Sequence, residues 1–415
     1  MRLNQYVLKI GAAVLAVAIV GCGGSYNGTG TQTKTTGLKK RVLLTNVAAG
    51  SVTIMDAQKD VFSTAVLGAN GATKIVSSGG FTAVLNTVQS SITIIDNATE
   101  AATFQPVLTD QPVDVAISTD GKTAWAAERS FGFVQSVDTA TGTARPNILV
   151  PSVTRLVMSP NGTKLLAFSN DPQANVPPNV NAFFVIDTAT GAVRSITSPG
   201  LDQPFTGVFN ASETQAFILN CGSGCGGTTP SVIRVDFTGV TPVFSAPIPV
   251  AAATSALLSG GNLYVAGTPA PALLGPGPAC PLSRCGTLQI INTGTLTASA
   301  PVPITDGLHL NMALTSTNKL YIGSRGCSTD AGSVANTVRG CLTIYNTGTP
   351  GTKFPEESSF RQNFDVTGLQ SISARNAIYI CQGGELDIFD TSLDAPTPNQ
   401  LDIVGKAIDV VQIDP

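Results

Sequence analysis

Short runs of alternating or continuous apolar residues that stop at Asp or Asn recur along almost the whole chain. They read VTIMD at 52–56, ITIID at 92–96, VQSVD at 134–138, FFVID at 183–187, VIRVD at 232–236, LQIIN at 288–292, LTIYN at 342–346 and LDIFD at 386–390. Five or six such residues, rich in Val, Ile and Thr and bounded by Gly, Asp and Thr, predict a strand buried on one or both faces. A second apolar run lies upstream of each, from VLLTN at 42–46 and TAVLN at 82–86 to LYIGS at 320–324 and IYICQ at 378–382. A third run precedes the second in seven copies, often across a tight turn, as in VDVAIS-TDG-KTAW at 113–125 and TRLVMS-PNG-TKLL at 154–166. Asp or Asn followed by Gly supplies the backbone angles that a hairpin turn needs. Downstream, DTATG or NTGT leads into a fourth run, such as GAVRSIT at 191–197.

The copies repeat every 40 to 56 residues. Four short strands in a unit of that length is the pattern of a β-propeller blade. The first copy starts at its second strand, because only a polar segment precedes Val42. The last copy is followed by a surplus run, KAIDVVQID at 406–414, which reads like the innermost run PVDVAIS at 112–118. The tail therefore supplies what the head lacks and leaves no open sheet edge. The expected fold is all-β: residues 40–415 form a single closed β-propeller of eight four-stranded blades, or seven if one weak copy is not a true repeat. Its C-terminal strand completes the first blade.

On SPNG at 159–162, VLLTN at 42–46 and VIDT at 185–188, the chain resembles the YVTN-type β-propeller repeat family of bacterial surface and periplasmic proteins. The resemblance covers nearly all of residues 40–414. It is close in the third and fourth copies, whereas copies five to seven depart from it through insertions. It implies the fold and an extracytoplasmic location; it fixes no function.

The N-terminus has the layout of an export signal, with Arg2 and Lys9 before the small apolar run IGAAVLAVAIV at 10–20. That run is shorter than the about 20 residues needed to span a bilayer. Ile19-Val20-Gly21-Cys22 resembles the bacterial lipobox, which implies a signal peptide over 1–21, cleavage before Cys22 and lipidation of that cysteine. Gly23 and Gly24 follow, with no Asp to signal inner-membrane retention, so the resemblance implies a lipid anchor in the cell envelope. The outer membrane is favoured, in an organism that has one. Residues 22–39 then form a lipidated cysteine and a Gly/Ser/Thr-rich tether with a reach of roughly 20–25 Å. Removing residues 1–21 takes away Arg2 and Lys9 and no acid, moving the net charge from −3 to −5. A weakly acidic domain has no electrostatic footprint for nucleic acid.

The recurring acids Asp56, Asp96, Asp138, Asp187, Asp236 and Asp390 are replaced by Asn292 and Asn346 in two copies. Interchange with Asn points to turn capping through backbone N–H groups, because a catalytic carboxylate would not be interchangeable. His309 is the only histidine, and no G-x-S-x-G elbow surrounds any serine. Aligning the innermost runs puts Thr73, Asp114, Arg155, Thr206 and Asp409 at one register, with His309 near the channel mouth, as candidate channel-lining residues. That set is mixed and includes an arginine, so it predicts neither a metal cage nor a cofactor.

Six cysteines form three local pairs: Cys221 and Cys225, Cys280 and Cys285, Cys327 and Cys341. Local pairing in an oxidising compartment is the simplest of their fifteen connectivities. Cys381 reads as a small buried apolar residue. The insertions at 171–181, 221–230, 268–285 and 325–340 all join second to third strands, and so rise from one face. Long loops on a rigid scaffold favour recognition. The leading expectation is a non-enzymatic, membrane-tethered binding module that takes a protein or envelope-polymer partner on that face. The competing classes are a propeller enzyme, such as a lactonase or other hydrolase acting at the channel, and a scaffold subunit that uses blade edges.

Overall fold

The computed structural model describes residues 35–170, 181–269, 284–361, 363–398, 401 and 403–414. The export signal, Cys22, nearly all of the tether, Cys280 and most of the 171–181 and 268–285 insertions lie outside the described residues.

Among the described residues the strands form eight antiparallel sheets of four or five strands, each built from neighbours in the chain. From the innermost strand outward, the second sheet runs Ala72–Ser78, Phe81–Asn86, Ser91–Asp96, Ala101–Phe104. The third begins at Pro112–Ile117, the fourth at Arg155–Met158 and the fifth at Pro204–Phe209. The sixth, seventh and eighth begin at Ser255–Ser259, Leu308–Leu314 and Val366–Ile372. The first sheet departs from chain order. Its innermost strand is the C-terminal Ala407–Gln412, paired with Arg41–Asn46, and Ser51–Asp56 and Val61–Leu67 complete it. Val42 lies opposite Gln412, Leu43 opposite Val411 and Leu44 opposite Val410. The innermost strands touch in the order of the sheets, and Ala407–Gln412 touches both Ala72–Ser78 and Val366–Ile372.

The core follows from the same repetition. The second and third strands of each sheet are buried on both faces, so every sheet packs against the next through its own hydrophobic cluster. Ala83, Leu85 and Ile94 of the second sheet meet Val115, Ala124 and Val137 of the third. Between the eighth sheet and the first, Tyr379, Cys381 and Ile388 meet Val42, Leu44 and Met55. Cys381 is a free, fully buried thiol.

Two departures from four-stranded regularity have local causes. In the fifth sheet the outer strand is split into Val243–Phe244 and Ile248–Pro249, and in the sixth into Thr297–Ala298 and Val302–Ile304. The interruption in both is Ser-Ala-Pro, at 245–247 and 299–301. Proline offers no N–H to a ladder, and an edge strand is where it is tolerated. A ninth sheet of three short strands, Asp330–Ala331, Thr337–Arg339 and Glu356–Ser358, was not expected. It is built by the 325–340 insertion pairing with the connection to the eighth sheet.

All eight turn-capping residues act alike. Asp138 Oδ1 accepts from the N–H groups of Ala140 (3.1 Å) and Thr141 (2.9 Å), and Asn292 Oδ1 from those of Gly294 (3.0 Å) and Thr295 (2.9 Å). Asp56, Asp96, Asp187, Asp236, Asn346 and Asp390 hold their turns in the same way.

Candidate functional site

A cavity of about 500 Å³ opens among the innermost strands. Its lining comes from the starts of those strands and the ends of the second strands, where Thr87, Arg129 and Arg325 stand. Second-to-third connections leave from that same end, so the cavity mouth lies on the insertion-bearing face.

A recurrent irregularity shapes the lining. The pairing of Ala407–Gln412 with Arg41–Asn46 shifts by one residue between Val410 and Ala407, and in five further sheets the innermost strand carries one extra residue just after its start: Thr73, Val113, Phe205, Leu310 and Thr367. A β-bulge re-aims side chains, and all five of these line the cavity. Of the aligned residues, Thr73, Asp114, Arg155 and Asp409 lie in the cavity wall. Thr206 and His309 do not. The bulge at Phe205 turns that ring inward and leaves Thr206 buried behind it. The bulge at Leu310 moves the lining position on to Leu310 and Asn311. His309 is fully buried, and burial pulls its pKa down to about 4, which keeps the imidazole neutral.

The two lining carboxylates serve the scaffold. Asp114 Oδ2 accepts from the backbone N–H of Leu156 in the next sheet (2.7 Å), while Oδ1 accepts from Val115 N–H (3.0 Å) and pairs with the Lys74 ammonium. Asp409 repeats this between the first and second sheets, accepting from Ile75 N–H (3.0 Å) and Val410 N–H (2.9 Å). Burial pushes Asp409 up to about 6, against those two bonds and the charges of Lys74 and Arg325. Gly368 is required beside it, since a Cβ there would fall 2.7 Å from Asp409 Oδ1 and 2.9 Å from its Cα.

Of the lining cations, sequence alignment found Arg155 and missed Lys74, Arg129 and Arg325. Lys74, Arg129, Arg155 and Arg325 all line the cavity, against only Asp114 and Asp409. Arg155 lies with Cζ 4.4 Å from the centroid of the Phe205 ring, which fixes the guanidinium plane. Arg325 reaches Thr367 O at 3.5 Å, its Nε has no hydrogen-bond partner, and burial lowers its pKa. The readable signal was the residue one step beyond the buried end of the second strand, which is Arg129 in the third copy and Arg325 in the seventh.

Around the mouth the insertions are braced. Cys221–Cys225 and Cys327–Cys341 form disulfides, with Cα atoms 5.7 and 5.4 Å apart. Cys285 is also disulfide-bonded. Asp202 holds the 221–230 loop by accepting from Thr228 N–H (2.6 Å) and Thr229 N–H (2.9 Å). In the three-stranded ribbon, Glu356 accepts from Ser333 N–H (2.7 Å), Thr337 Oγ1 (2.8 Å) and Arg339 Nη2 (3.1 Å), and its bonds to Ser333 and Thr337 pull its pKa down to about 2. Arg284 covers the Phe354 ring at 4.4 Å.

No known family profile matches the chain, and no curated protein sequence matches it. Solved structures do. The chain is similar to the dihydro-haem d1 dehydrogenase NirN, at 12% identity and a TM-score of 0.62, over 90% of this chain and 75% of that one. It is similar to AztD from Citrobacter koseri, at 9% identity and a TM-score of 0.58, over 90% and 98%. It is also similar to the β-propeller domain of Swd1 from Myceliophteria thermophila, at 12% identity and a TM-score of 0.51, over 77% and 96%. The chain folds as a β-propeller. Propellers host unrelated activities, and at these identities the likeness carries the fold alone. Among the described residues, no helix is long and apolar enough to cross a membrane, and no group of three His, Cys, Asp or Glu residues converges as a metal site.

Proposed function

We propose that the chain is an extracytoplasmic binding module: a closed eight-bladed propeller, lipid-anchored to the cell envelope through Cys22, that takes a protein or envelope-polymer partner on its insertion-bearing face. The observation that carries the reading is the placement of the braced insertions around the mouth of the central cavity. Elaborate loops held by disulfides and by the carboxylates of Asp202 and Glu356 are rigid, and rigid loops lose little freedom on binding. Ring closure rests on Ala407–Gln412 pairing with Arg41–Asn46 and on the hydrophobic cluster shared by the eighth and first sheets. Export agrees with the disulfides, which persist in oxidising compartments. The hydrolase alternative needs a base at the channel, and His309 is sealed away from it while both lining carboxylates are held by backbone N–H groups. The edge-scaffold alternative is opposed by Pro247 and Pro301, which break two of the outer strands.

The test places a photo-crosslinking amino acid at Val334, exposed on the ribbon, or at Val240, exposed in a turn at the opposite end of the fifth sheet. In intact cells, a discrete adduct from Val334 and none from Val240 is expected. Equal labelling from both, or none from Val334, would overturn the face assignment. Mass spectrometry of the mature N-terminus checks the anchor, and an unmodified Cys22 would remove it.

A further inference from the structure

We propose that the Glu357 carboxyl is a proton-operated latch, which docks the three-stranded ribbon on the eighth sheet when protonated and loosens it when ionised. It thereby regulates the insertion-bearing face, and that consequence alone rests on the reading above. Side chains alternate along Glu356–Ser358, so Glu356 and Glu357 point to opposite sides of the ribbon. Glu356 meets Ser333, Thr337 and Arg339 within the ribbon. Glu357 turns instead toward Arg361 and Asp387, the latter in the strand Glu385–Asp390 of the eighth sheet. There the guanidinium is already matched. Arg361 Nη1 and Nη2 donate to the two Asp387 carboxylate oxygens at 2.7 and 3.0 Å, and Nη1 also reaches Gln382 O at 3.2 Å. Glu357 Oε2 is left 3.8 Å from Nη2, beyond hydrogen-bond range. Its Oε1 is buried and, among the described residues, has no hydrogen-bond partner.

With side-chain exposures of 11% for Glu357, 10% for Arg361 and 4% for Asp387, the group disfavours a second negative charge. Ionised, Glu357 would leave these three residues with one net negative charge; protonated, it leaves them neutral. Gln382 is fully buried, carries no charge and has neither amide atom hydrogen-bonded. Burial keeps the neighbouring Cys381 thiol protonated. Glu385, at the start of the Asp387 strand, adds a further negative charge and accepts from Ile403 N–H at 3.1 Å. Asp365 accepts from Gly326 N–H at 2.7 Å, and Lys406 lies along Gly384 on the crossing to the first sheet. Across the ribbon Glu357 is paired with Val338, which is uncharged. Burial and the Asp387 charge accordingly push the Glu357 carboxyl up to about 7, against the pull of Arg361. Losing that proton strands a charge, which reaches water when Glu356–Ser358 lifts off the eighth sheet. That strand pairs with Thr337–Arg339, so the ribbon loosens with it. A carboxyl raised by docking holds the ribbon most firmly below about pH 4.5, and the hold is lost as pH rises through about 7.

Hydrogen exchange of the purified mature protein tests the latch, read by mass spectrometry on peptides covering 330–358 and corrected for the intrinsic pH dependence of exchange. A carboxyl at about 7 when docked and about 4.5 when free makes ribbon opening roughly ten-fold more favourable at about pH 8 than at about pH 6. Wild-type ribbon amides should therefore lose about ten-fold in protection over that range, whereas Glu357→Gln and Glu357→Met should each lose less than about two-fold. Glu128→Gln, which removes another carboxyl pushed up to about 7, should leave the ribbon's loss intact. An equal loss in both Glu357 variants and wild type would overturn the proposal, as would a loss abolished by Glu128→Gln. Should neither Glu357 variant fold, the wild-type profile decides alone: a midpoint near about pH 7 supports the latch and a flat profile overturns it. A flat profile with the Val334 adduct intact removes the latch and leaves the partner reading. The expected loss with no Val334 adduct removes the partner reading and leaves the latch standing.

Discussion

Arg41 is where the two ends of the chain and the second sheet are tied together, and replacing it by methionine tests how much that joint holds. Its backbone N–H and Nε donate to Asp414 Oδ2 at 2.7 and 2.8 Å, and Nη2 donates to Asp414 Oδ1 at 2.7 Å. Nη1 donates to Glu100 Oε1 at 2.9 Å. The Glu100 side chain is only 1% exposed and is otherwise met by Thr36, through its N–H at 2.6 Å and its hydroxyl at 2.5 Å. Arg41→Met keeps the apolar stem and deletes the guanidinium, leaving a buried carboxylate without its cation. Breaking a buried pair from one side costs about 3–5 kcal/mol. At about 2.1 cal/mol/K per residue, a domain of roughly 375 residues has an unfolding entropy near 0.8 kcal/mol/K, so the midpoint should fall by about 4–6 °C. Adding Glu100→Gln removes the stranded charge and should recover at least half of the loss in a double-mutant cycle read by scanning calorimetry. A loss under about 1 kcal/mol, or no recovery in the double variant, would refute the view that this pairing secures the first sheet.

Replacing Cys327 and Cys341 together by serine opens a 14-residue separation. Chain entropy puts the cost at about 3 kcal/mol, which calorimetry should read as a midpoint lower by about 4 °C; an unchanged midpoint contradicts it. Glu128 is fully buried, and its carboxyl is pushed up to about 7 by burial and by the neighbouring charge of Asp110. A raised carboxyl holds its proton in the native state after the unfolded chain has lost it, so its contribution is complete below about pH 4.5 and is lost as pH rises toward 7, by up to about 3 kcal/mol. The stability of Glu128→Gln relative to wild type should therefore increase across that window, and a pH-independent difference would show that Glu128 is ionised throughout. Gly368→Ala forces a Cβ into the backbone of Asp409 and should cost about 1–3 kcal/mol by chemical denaturation. Gly351→Ala, whose Cβ meets nothing closer than 3.9 Å, is the control expected to be near neutral.

The parts of this fold that were readable from sequence are those fixed by local physics. Each apolar run ending in Asp or Asn is a strand because its residues are buried on both faces, and each Asp or Asn caps its turn because one or two N–H groups wait there. Cys221–Cys225 and Cys327–Cys341 were legible because their sequence separations are short. The ribbon from Asp330 to Glu356 was not. Its third strand comes from a different connection, and what holds it is the convergence of Ser333, Thr337 and Arg339 on Glu356, residues that no repeat pattern brings together.

The composition of the throat was hidden for a related reason. Linear alignment treats every innermost strand as the same length, so it placed Thr73 beside Asp114 and Asp409, and it reached Thr206 where the lining residue is Phe205. One extra residue in a strand flips everything before it to the other face, and the structure spends that residue at the same place in five sheets. The repetition argues that the bulge is part of the architecture. Innermost strands converge tightly, and a bulge lets one side chain point into the throat while the next anchors the neighbouring sheet. Asp114 and Asp409 do the anchoring through Leu156 and Ile75. Those carboxylates are thereby committed to joining one sheet to the next, and their place in the wall follows from how the sheets are held together.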